Sequence, residues 1–443
     1  MYFQTSYSQS NFRFKMKKLS LILLFCLFSC KQLTPEIEEI PIAKESDYNA
    51  SPTHHQFESR NLLLQKFQRP KVKVALFLPL TGKHKQLGEN LANSALLSLF
   101  ENDDNHNIEV ILVDSKGSAT EGKKAFQKII DQNIKIVIGP VFSTVITEIE
   151  KDVLKHNITV ISFSNNKKLM NKTDDEGGIF LAGMLPETQI DKIVSFALKN
   201  GKNNFAIIAP NNQYGNTLTK LFKNIVKDRD GNFITSEFYR ANNRDISRAV
   251  DRTINSFTIS SELREKLKED KETVIEENDR QYPDVIMVPE SGKILSKLVY
   301  FINGQNINER DFQIIGTSGW DDISTLGDEA LKGAWFPAPD NHKFSLFQQK
   351  YYKTYNQYPL RISSISYDIL AAIAKMIDTK KGKVPTISDL TNYSSSSQNG
   401  FDGIDGLFRF LPNGIIQRNL AVLEVEDNYF KTIEPATSKF LKY

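Results

Sequence analysis

Short apolar runs rich in Val, Ile and Phe alternate with longer stretches of helical period from Val72 onward. The first run is VKVALFLPL at residues 72–80, and a turn at 81–86 leads to a stretch with one apolar stripe. That stripe consists of Leu87, Leu91, Ala95, Leu96, Leu99 and Phe100. Because parallel strands need a crossover helix, strand, helix and strand in this order predict β-α-β units around a parallel sheet.

The apolar runs fall into two series, which predicts two sheets. The first series comprises residues 72–80, 109–115, 134–140, 158–164 and 177–183. The second series comprises residues 204–211, 233–239, 283–289 and 312–318. After these, the chain has an extended run at 333–339, helices around 347–355 and 366–377, and β-rich runs at 406–410 and 421–425. We therefore expect an α/β fold of two Rossmann-like lobes, each with a parallel sheet flanked by helices.

The N-terminal region carries the pattern of an export signal. Residues 15–30 read KMKKLSLILLFCLFSC, a cationic start followed by an apolar run and a cysteine. The apolar run at 19–28 is well short of the roughly 20 residues that span a bilayer, so cleavage is expected. The tripeptide before Cys30 resembles a lipobox, which implies a lipoprotein signal peptide over 1–30, with translation starting at Met16 and lipidation at Cys30. An ordinary signal peptide with a chance cysteine is the alternative.

Composition excludes several function classes. Residues 31–70 are polar and irregular, which predicts a disordered tether, and its paired His54 and His55 are interpreted as solvated linker residues. The sequence has two cysteines, Cys26 and Cys30, so no disulfide or thiol nucleophile is available downstream. A formal net charge of +3 is too small for a nucleic-acid footprint.

A charged stretch interrupts the second series at residues 257–281, with SSELREKLKEDKETVIEENDRQ at its centre. The apolar side chains of that central segment are Leu263, Leu267, Val274 and Ile275. A charge run of this kind is typical of a hydrated surface, so we interpret it as a solvated helical insertion in the second lobe. A surface that binds a protein partner is the alternative.

The sequence carries no signature of catalysis or of a cofactor. The motifs GxGxxG, GxxxxGK[ST], HExxH and GxSxG do not occur in it. Its isolated histidines are interpreted as surface or core residues. The acidic pairs at 103–104 and 174–175 are interpreted as turn residues, whereas Asp321 follows a strand and stays a candidate. We predict a protein that is not an enzyme and needs no cofactor.

The loops after the predicted strands are the candidate binding site, because open α/β sheets bind ligands outside the carboxyl ends of their strands. These loops are residues 81–87, 139–144, 162–166, 212–215, 289–292 and 318–321. Between two facing lobes they converge on one cleft, so we expect a small polar ligand there.

The same loops resemble the type I periplasmic binding protein fold, in its leucine-binding-protein-like branch, over residues 72–424. The segments ALFLPLTG with Gly88, IGPVFSTV, NNQYG and SYDIL carry the resemblance, and GFDGIDGLFRFLPNG at 400–414 is its most specific motif. The resemblance implies a first lobe of residues 72–184 plus 340–402 and a second lobe of 185–339 plus 403–443. Three chain crossings would form the hinge.

The resemblance also implies which side chains meet a ligand. Hydroxyl and amide groups hold the ligand carboxylate in amino-acid-binding members, and this chain has Ser143, Thr144, Ser164, Asn165 and Asn166 in similar loops. Tyr214 matches the aromatic position, and Leu87, Ser318 and Trp320 lie in the remaining loops. Those members place an acid after the strand equivalent to QIIG, where this chain has Thr317, Ser318 and Gly319. The resemblance then implies that either Glu290 or Asp321 would substitute for it.

Two functions follow from these features. The lipobox, the tether, the charged insertion and the TSGW loop resemble the penicillin-binding-protein activator branch of the fold. That branch implies a periplasmic regulator of a peptidoglycan synthase, anchored by lipid in the outer membrane because Lys31 is not the aspartate of inner-membrane retention. The alternative is the solute-binding component of an ABC importer for amino acids or amides, with a permease as partner.

Overall fold

The computed structural model describes residues 70–173, 176–240, 242–270, 274–304, 312–396 and 400–440. The predicted signal peptide, Cys30, the tether before Pro70 and the acidic pair at 174–175 lie outside these ranges. Within them, no helix is both long enough and apolar enough to cross a membrane.

The first series of apolar runs forms a five-stranded parallel sheet. Its strands are β1 (Val72–Leu78), β2 (Ile108–Asp114), β3 (Ile136–Ile138), β4 (Thr159–Ser162) and β5 (Gly178–Leu181). Their order is β2-β1-β3-β4-β5, and each neighbouring pair is parallel. Leu76 of β1 points into one core and Phe77 into the other, because successive side chains of a strand face opposite ways.

Helices cover both faces of this first sheet. On one face lie α1 (Lys85–Asn102) and α10 (Ser363–Thr379), and on the other lie α2 (Ala119–Asp131) and α3 (Ser143–Lys155). The helix α9 (Asn341–Tyr355) packs on α1 through Phe344, Phe347 and Tyr351, and α11 (Ile387–Ser396) packs beside α10. The C-terminal helices therefore belong to the first lobe.

The second series forms a seven-stranded sheet. Its strands are β6 (Asn204–Pro210), β7 (Asn232–Tyr239), β8 (Val285–Met287), β9 (Gln313–Ile315), β10 (Trp335–Ala338), β14 (Ala421–Val425) and β15 (Phe430–Glu434). Their order is β15-β14-β10-β9-β8-β6-β7, and β14 is antiparallel to both neighbours. Helices α4 (Pro186–Lys199) and α5 (Gln213–Asp228) cover one face, and α6 (Asn243–Asn255) and α8 (Gly292–Asn303) cover the other. The predicted α/β fold with two helix-flanked, parallel-sheet lobes is confirmed.

A small antiparallel sheet shifts the last chain crossing from its expected position. Its strands are β11 (Phe401–Gly403), β12 (Gly406–Phe410) and β13 (Ile416–Arg418). Phe401, Phe408 and Phe410 share the core of Ile369, and the Phe410 ring lies 5.0 Å from that of Phe180. Residues 401–418 therefore pack on the first lobe, whereas we expected the chain to leave that lobe at residue 402. The crossing comes later than expected because Phe401, Phe408 and Phe410 are buried in the core of the first lobe.

The charged insertion contains the short helix α7 (Ser261–Glu269) and a single 3-10 turn at Glu277–Asp279 among its described residues, and neither has a buried residue. Beyond that helix, Val274 is 76% exposed. The ends of the insertion meet at Thr258 and Gln281, which exchange two backbone hydrogen bonds of 2.9 and 2.8 Å. The described part of the insertion is therefore exposed to solvent, and backbone hydrogen bonds hold its two ends together.

Candidate ligand cleft

The first strand of each large sheet ends directly against the helix that follows it. A Cβ atom on Gly88 would lie 2.1 Å from the Pro79 carbonyl oxygen, and one on Gly215 would lie 1.9 Å from that of Pro210. Any larger residue would push the helix away from the strand. The two glycines therefore hold the loops after β1 and β6 close to the carboxyl edges of their sheets.

Arg361 joins the two lobes at the carboxyl edge of the second sheet. It precedes α10 in the first lobe and donates to Asp321 Oδ2 and to Asp405 Oδ1, both at 2.6 Å. Asp321 follows β9, so this edge of the second sheet faces the first lobe. Burial raises the pKa of Asp321, and the charge of Arg361 opposes that rise. Asp321, a candidate for the ligand ammonium, is therefore paired with a cation of the protein itself.

A cluster of three side chains lies at the same edge and is here called the Glu290 cluster: Tyr214, Tyr239 and Glu290. Tyr239 Oη donates to Glu290 Oε1 at 2.5 Å. Burial raises the pKa of Tyr239, and the bond to the Glu290 carboxylate raises it further. Burial and the charge of Glu290 also raise the pKa of Tyr214, whose side chain remains 51% exposed. The cluster presents an accessible aromatic ring beside a carboxylate.

Trp320 supports this cluster from within the core. Its indole Nε1 donates to the Glu290 carbonyl oxygen at 2.8 Å, and the side chain is fully buried. Its ring packs directly on Gly316 and lies 6.1 Å from that of Phe336. The backbone N–H of Ser318 donates to Gln189 Oε1 at 3.0 Å. The sequence makes Trp320 a candidate ligand contact. The structure instead places its side chain in the core, where it holds the loop that contains Glu290.

Two candidate residues with hydroxyl groups, Ser143 and Thr144, lie at the start of α3 in the first lobe. Ser143 is half-buried and Thr144 is exposed, both in the first turn of this helix. The first amide groups of a helix have no partner within the helix, so this turn suits a negatively charged group of a ligand. Leu87 is half-buried in α1 and packs against the core of the first lobe, so its role is packing.

The turn after β4 holds the other three candidates. Ser164 is buried, and its Oγ accepts from the Asn166 N–H at 3.1 Å. The Asn166 side chain in turn accepts from the Lys168 N–H at 3.2 Å. Asn165 between them is exposed. Ser164 and Asn166 therefore shape the turn, and Asn165 is the one that presents its side chain outward.

Two residues at these edges were missed in the sequence. Tyr239 is the last residue of β7, so it lies outside the loops that the sequence indicates as the site. His84 was interpreted as an isolated histidine, yet its ring lies 4.6 Å from that of Phe142, and both contact the Gly117 turn. The loops after β1, β2 and β3 thus meet at an aromatic pair. In the ranges described, no three His, Cys, Asp or Glu residues are arranged to hold a metal ion.

Comparison with known proteins supports this architecture. A family model described as periplasmic binding protein matches residues 71–257. A putative branched-chain amino acid ABC transporter protein from Rhodospirillum rubrum superposes with a TM-score of 0.66 at 15% identity, over 82% of this chain and 100% of that chain. A solute-binding protein of an ABC transporter from Rhodopseudomonas palustris BisB5, in complex with 3,4-dihydroxybenzoic acid, superposes with a TM-score of 0.56 at 17% identity, over 84% of this chain and 97% of that chain.

One curated relative is similar in sequence, an uncharacterized protein from Rickettsia prowazekii (strain Madrid E). It is 24% identical over 208 residues, which are 47% of this chain and 54% of the relative, so the similarity spans about half of its length. Together with the solved structures, these matches show a protein with the type I periplasmic binding protein fold. More specifically, the fold is the leucine-binding-protein-like form that the sequence motifs indicated.

Proposed function

We propose that this protein is an extracytoplasmic solute-binding protein, which holds a small polar ligand between its lobes and delivers it to an ABC permease. The observation that carries the proposal is the presence of polar and aromatic groups at the carboxyl edges of both sheets, with Arg361 of the first lobe in contact with Asp321 at the edge of the second. Tyr214 and Glu290 lie at the edge of the second lobe that Arg361 contacts, and Ser143, Thr144 and Asn165 follow strands of the first lobe. Hydroxyl, amide, carboxylate and aromatic groups are the kinds of side chain that orient a small polar ligand in a cleft, which supports a role in binding.

The comparisons favour this function over the regulator that the sequence placed first. The structural relatives named above are described as ABC transporter proteins, one for branched-chain amino acids and one bound to an aromatic acid. At an identity of 17% or less, their superposition shows the shared fold alone, and the ligand of this chain is a separate proposal.

Regulation of a peptidoglycan synthase is the second candidate, and the charged insertion favours it. No residue of α7 is buried, so its charged side chains are available to a protein partner. The engagement of Asp321 and Trp320 within the protein also removes two expected ligand contacts.

Thermal unfolding of the full protein with amino acids, amides and aromatic acids separates the two candidates. A ligand at about 100 times its Kd adds about 2.7 kcal/mol of stability, so a true ligand should raise Tm clearly. Tyr214→Ala should abolish that rise. Tyr429→Ala is the matched control, because Tyr429 is 58% exposed and precedes β15 at the opposite edge of the same sheet.

The regulator predicts the reverse pattern. Replacing residues 259–280 with two glycines preserves the Thr258–Gln281 pairing and should leave a ligand-induced rise in Tm unchanged. Loss of synthase binding in this variant, together with no rise in Tm for any compound, would support the regulator instead.

Lipid anchoring through Cys30, in the outer membrane, is part of the proposal. Cys30→Ser should abolish labelling by radioactive palmitate and move the protein from the membrane fraction to the soluble fraction. Cys26→Ser is the matched control, because Cys26 lies within the signal peptide and should leave both properties unchanged. Labelling that persists in Cys30→Ser would contradict the anchor.

A further inference from the structure

A cavity on the first lobe lies outside the candidate cleft and is here called the back pocket. It encloses about 420 Å³, and none of the candidate cleft residues lines it. Much of its wall comes from α10, α11 and the small antiparallel sheet, through Tyr367, Asp368, Lys375, Tyr393, Phe401 and Phe408. Cavities of this size are typical of sites for small molecules.

Stacked aromatic rings form one side of the back pocket. The Tyr393 ring lies 4.8 Å from that of Phe401 at an interplanar angle of 28°, and the Phe401 ring lies 5.5 Å from that of Phe408 at 26°. Phe401 and Phe408 are buried, whereas Tyr393 and Tyr367 are half-buried. Because aromatic rings attract one another in offset stacked and edge-to-face arrangements, this wall suits a ligand that contains a flat aromatic ring.

The charge that the wall leaves without an ion-pair partner is positive. Asp402 lines the pocket and accepts from Lys343 Nζ at 2.5 Å. Asp368 lines it as well and accepts from Arg418 Nη1 at 2.9 Å. Lys375 is exposed, and within the described ranges no carboxylate oxygen lies within 4.0 Å of its ammonium group. A carboxylate on the ligand would therefore find a cation available to it.

The inner wall of the back pocket is bonded to the contact between the lobes. Asp368 accepts from the backbone N–H groups of Ile404 at 2.6 Å and of Asp405 at 3.2 Å. The Asp405 carboxylate in turn accepts from Arg361, which also donates to Asp321 of the second lobe. A ligand that displaces this turn would therefore act on Asp321 through two consecutive hydrogen bonds.

We propose that the back pocket is a second ligand site, that its ligand is a small aromatic carboxylate, and that its occupancy changes the contact between the lobes. This site is separate from the cleft of the proposed function, so that either assignment can fail without the other.

Isothermal titration of the full protein with benzoate, benzamide and benzylamine tests the ligand class. Benzoate should bind about fivefold more tightly than benzamide, the upper range for an exposed ion pair, and benzylamine should bind most weakly. In Lys375→Gln, benzoate and benzamide should bind alike. Lys383→Gln alters another exposed lysine and should keep the difference. Equal binding of the three compounds, or tighter binding of benzylamine, would overturn the carboxylate assignment.

Two substitutions locate the bound benzoate. Ala371→Phe fills the back pocket from a half-buried position of α10 and should abolish binding, whereas Ala119→Phe at the half-buried start of α2 should not. Tyr214→Ala, at the cleft, should leave benzoate binding unchanged. Binding that persists in Ala371→Phe, or that is lost in Tyr214→Ala, would overturn the back pocket as the site. The second of these results would assign benzoate to the cleft.

A spectroscopic readout tests the coupling to the lobe contact. The chain has two tryptophans, so the indole region of an ¹H–¹⁵N spectrum contains two signals. The Trp320 signal should move when benzoate saturates the protein, because Trp320 precedes Asp321, and the Trp335 signal, which reports on a bond to Glu424, should not. In Arg361→Met, benzoate should still bind while the Trp320 signal stays in place.

The outcomes distinguish the parts of this inference. A Trp320 signal that does not move in the original protein would overturn the coupling and leave the second site intact. Absence of benzoate binding would overturn the second site and leave solute binding in the cleft unaffected.

Discussion

Replacing Arg361 with Met should lower the free energy of unfolding by about 3–5 kcal/mol, because removal of one partner leaves buried charge without compensation. Asp321 and Asp405 are both buried, and Arg361 is their shared cation. Arg361 also stacks 4.1 Å from the centre of the Phe344 ring, a contact that Met preserves in part. Urea unfolding followed by far-UV circular dichroism measures the loss.

Arg229→Met is the matched control for this substitution. Arg229 donates two hydrogen bonds of 2.8 Å to Asp191, but both side chains are more than 40% exposed. Exposed pairs contribute about 0–1 kcal/mol, so the control should unfold at nearly the same urea concentration as the original protein. Similar losses in the two variants would show that the contact between the lobes adds little to stability.

Asp368 should make stability fall as pH rises from about 4 to about 6. Burial raises the pKa of Asp368 from 3.8 to about 6; Arg418 opposes that rise, and the charge of Asp405 adds to it. The folded protein therefore binds more protons than the unfolded chain between these values. The stabilising contribution is complete below pH 3.8 and is lost as pH rises through 6, by an amount on the order of 3 kcal/mol.

Asp368→Asn tests this dependence, because asparagine does not titrate. The variant should be most destabilised near pH 4, where Asp368 is protonated, and less so by on the order of 3 kcal/mol at pH 7. Asp114→Asn is a control of opposite sign. Burial alone opposes ionisation of Asp114, yet hydrogen bonds from Thr81, Lys116 and Leu80 lower its pKa, so this variant should be more destabilised at pH 7 than at pH 3. Urea unfolding across this pH range provides both slopes, and parallel slopes would contradict the assignment.

The source of this behaviour is the charge balance of one buried network. Arg361 and Arg418 face Asp321, Asp368 and Asp405, so two cations meet three acids. Protonation of Asp368 makes the network neutral, which explains in physical terms why the proton is retained there.

The fold was predictable because its strands are buried on both faces and therefore appear as uninterrupted apolar runs. The runs at 406–410 and 421–425 match β12 and β14. The apolar runs do not predict that β11 to β13 pack on the first lobe. The position of these strands depends on which core buries Phe401 and Phe408. Such a choice is made by tertiary packing and leaves no periodic pattern in the sequence.

The sequence predicts which loops form the candidate site but not the role of each residue in them. Asp321 follows a strand, as a ligand acid would, yet its partner Arg361 lies 40 residues further along the chain. Trp320 has the position of a cleft residue, but the absence of a side chain on Gly316 lets its ring fold into the core. The structure places Glu290 close to Tyr214 at one edge of the second sheet, and Tyr239 joins them from the end of a strand, outside the loops that the sequence indicates.

The paired ends of the charged insertion make this position a natural junction. Because Thr258 and Gln281 are already hydrogen-bonded, the sheet of the second lobe is complete without the intervening residues. Segments of different length and composition, including a fluorescent reporter domain, can therefore be exchanged at this point while the strands on either side keep their register. A change of length at this point should therefore alter one outer surface of the second lobe while its cleft stays as it is.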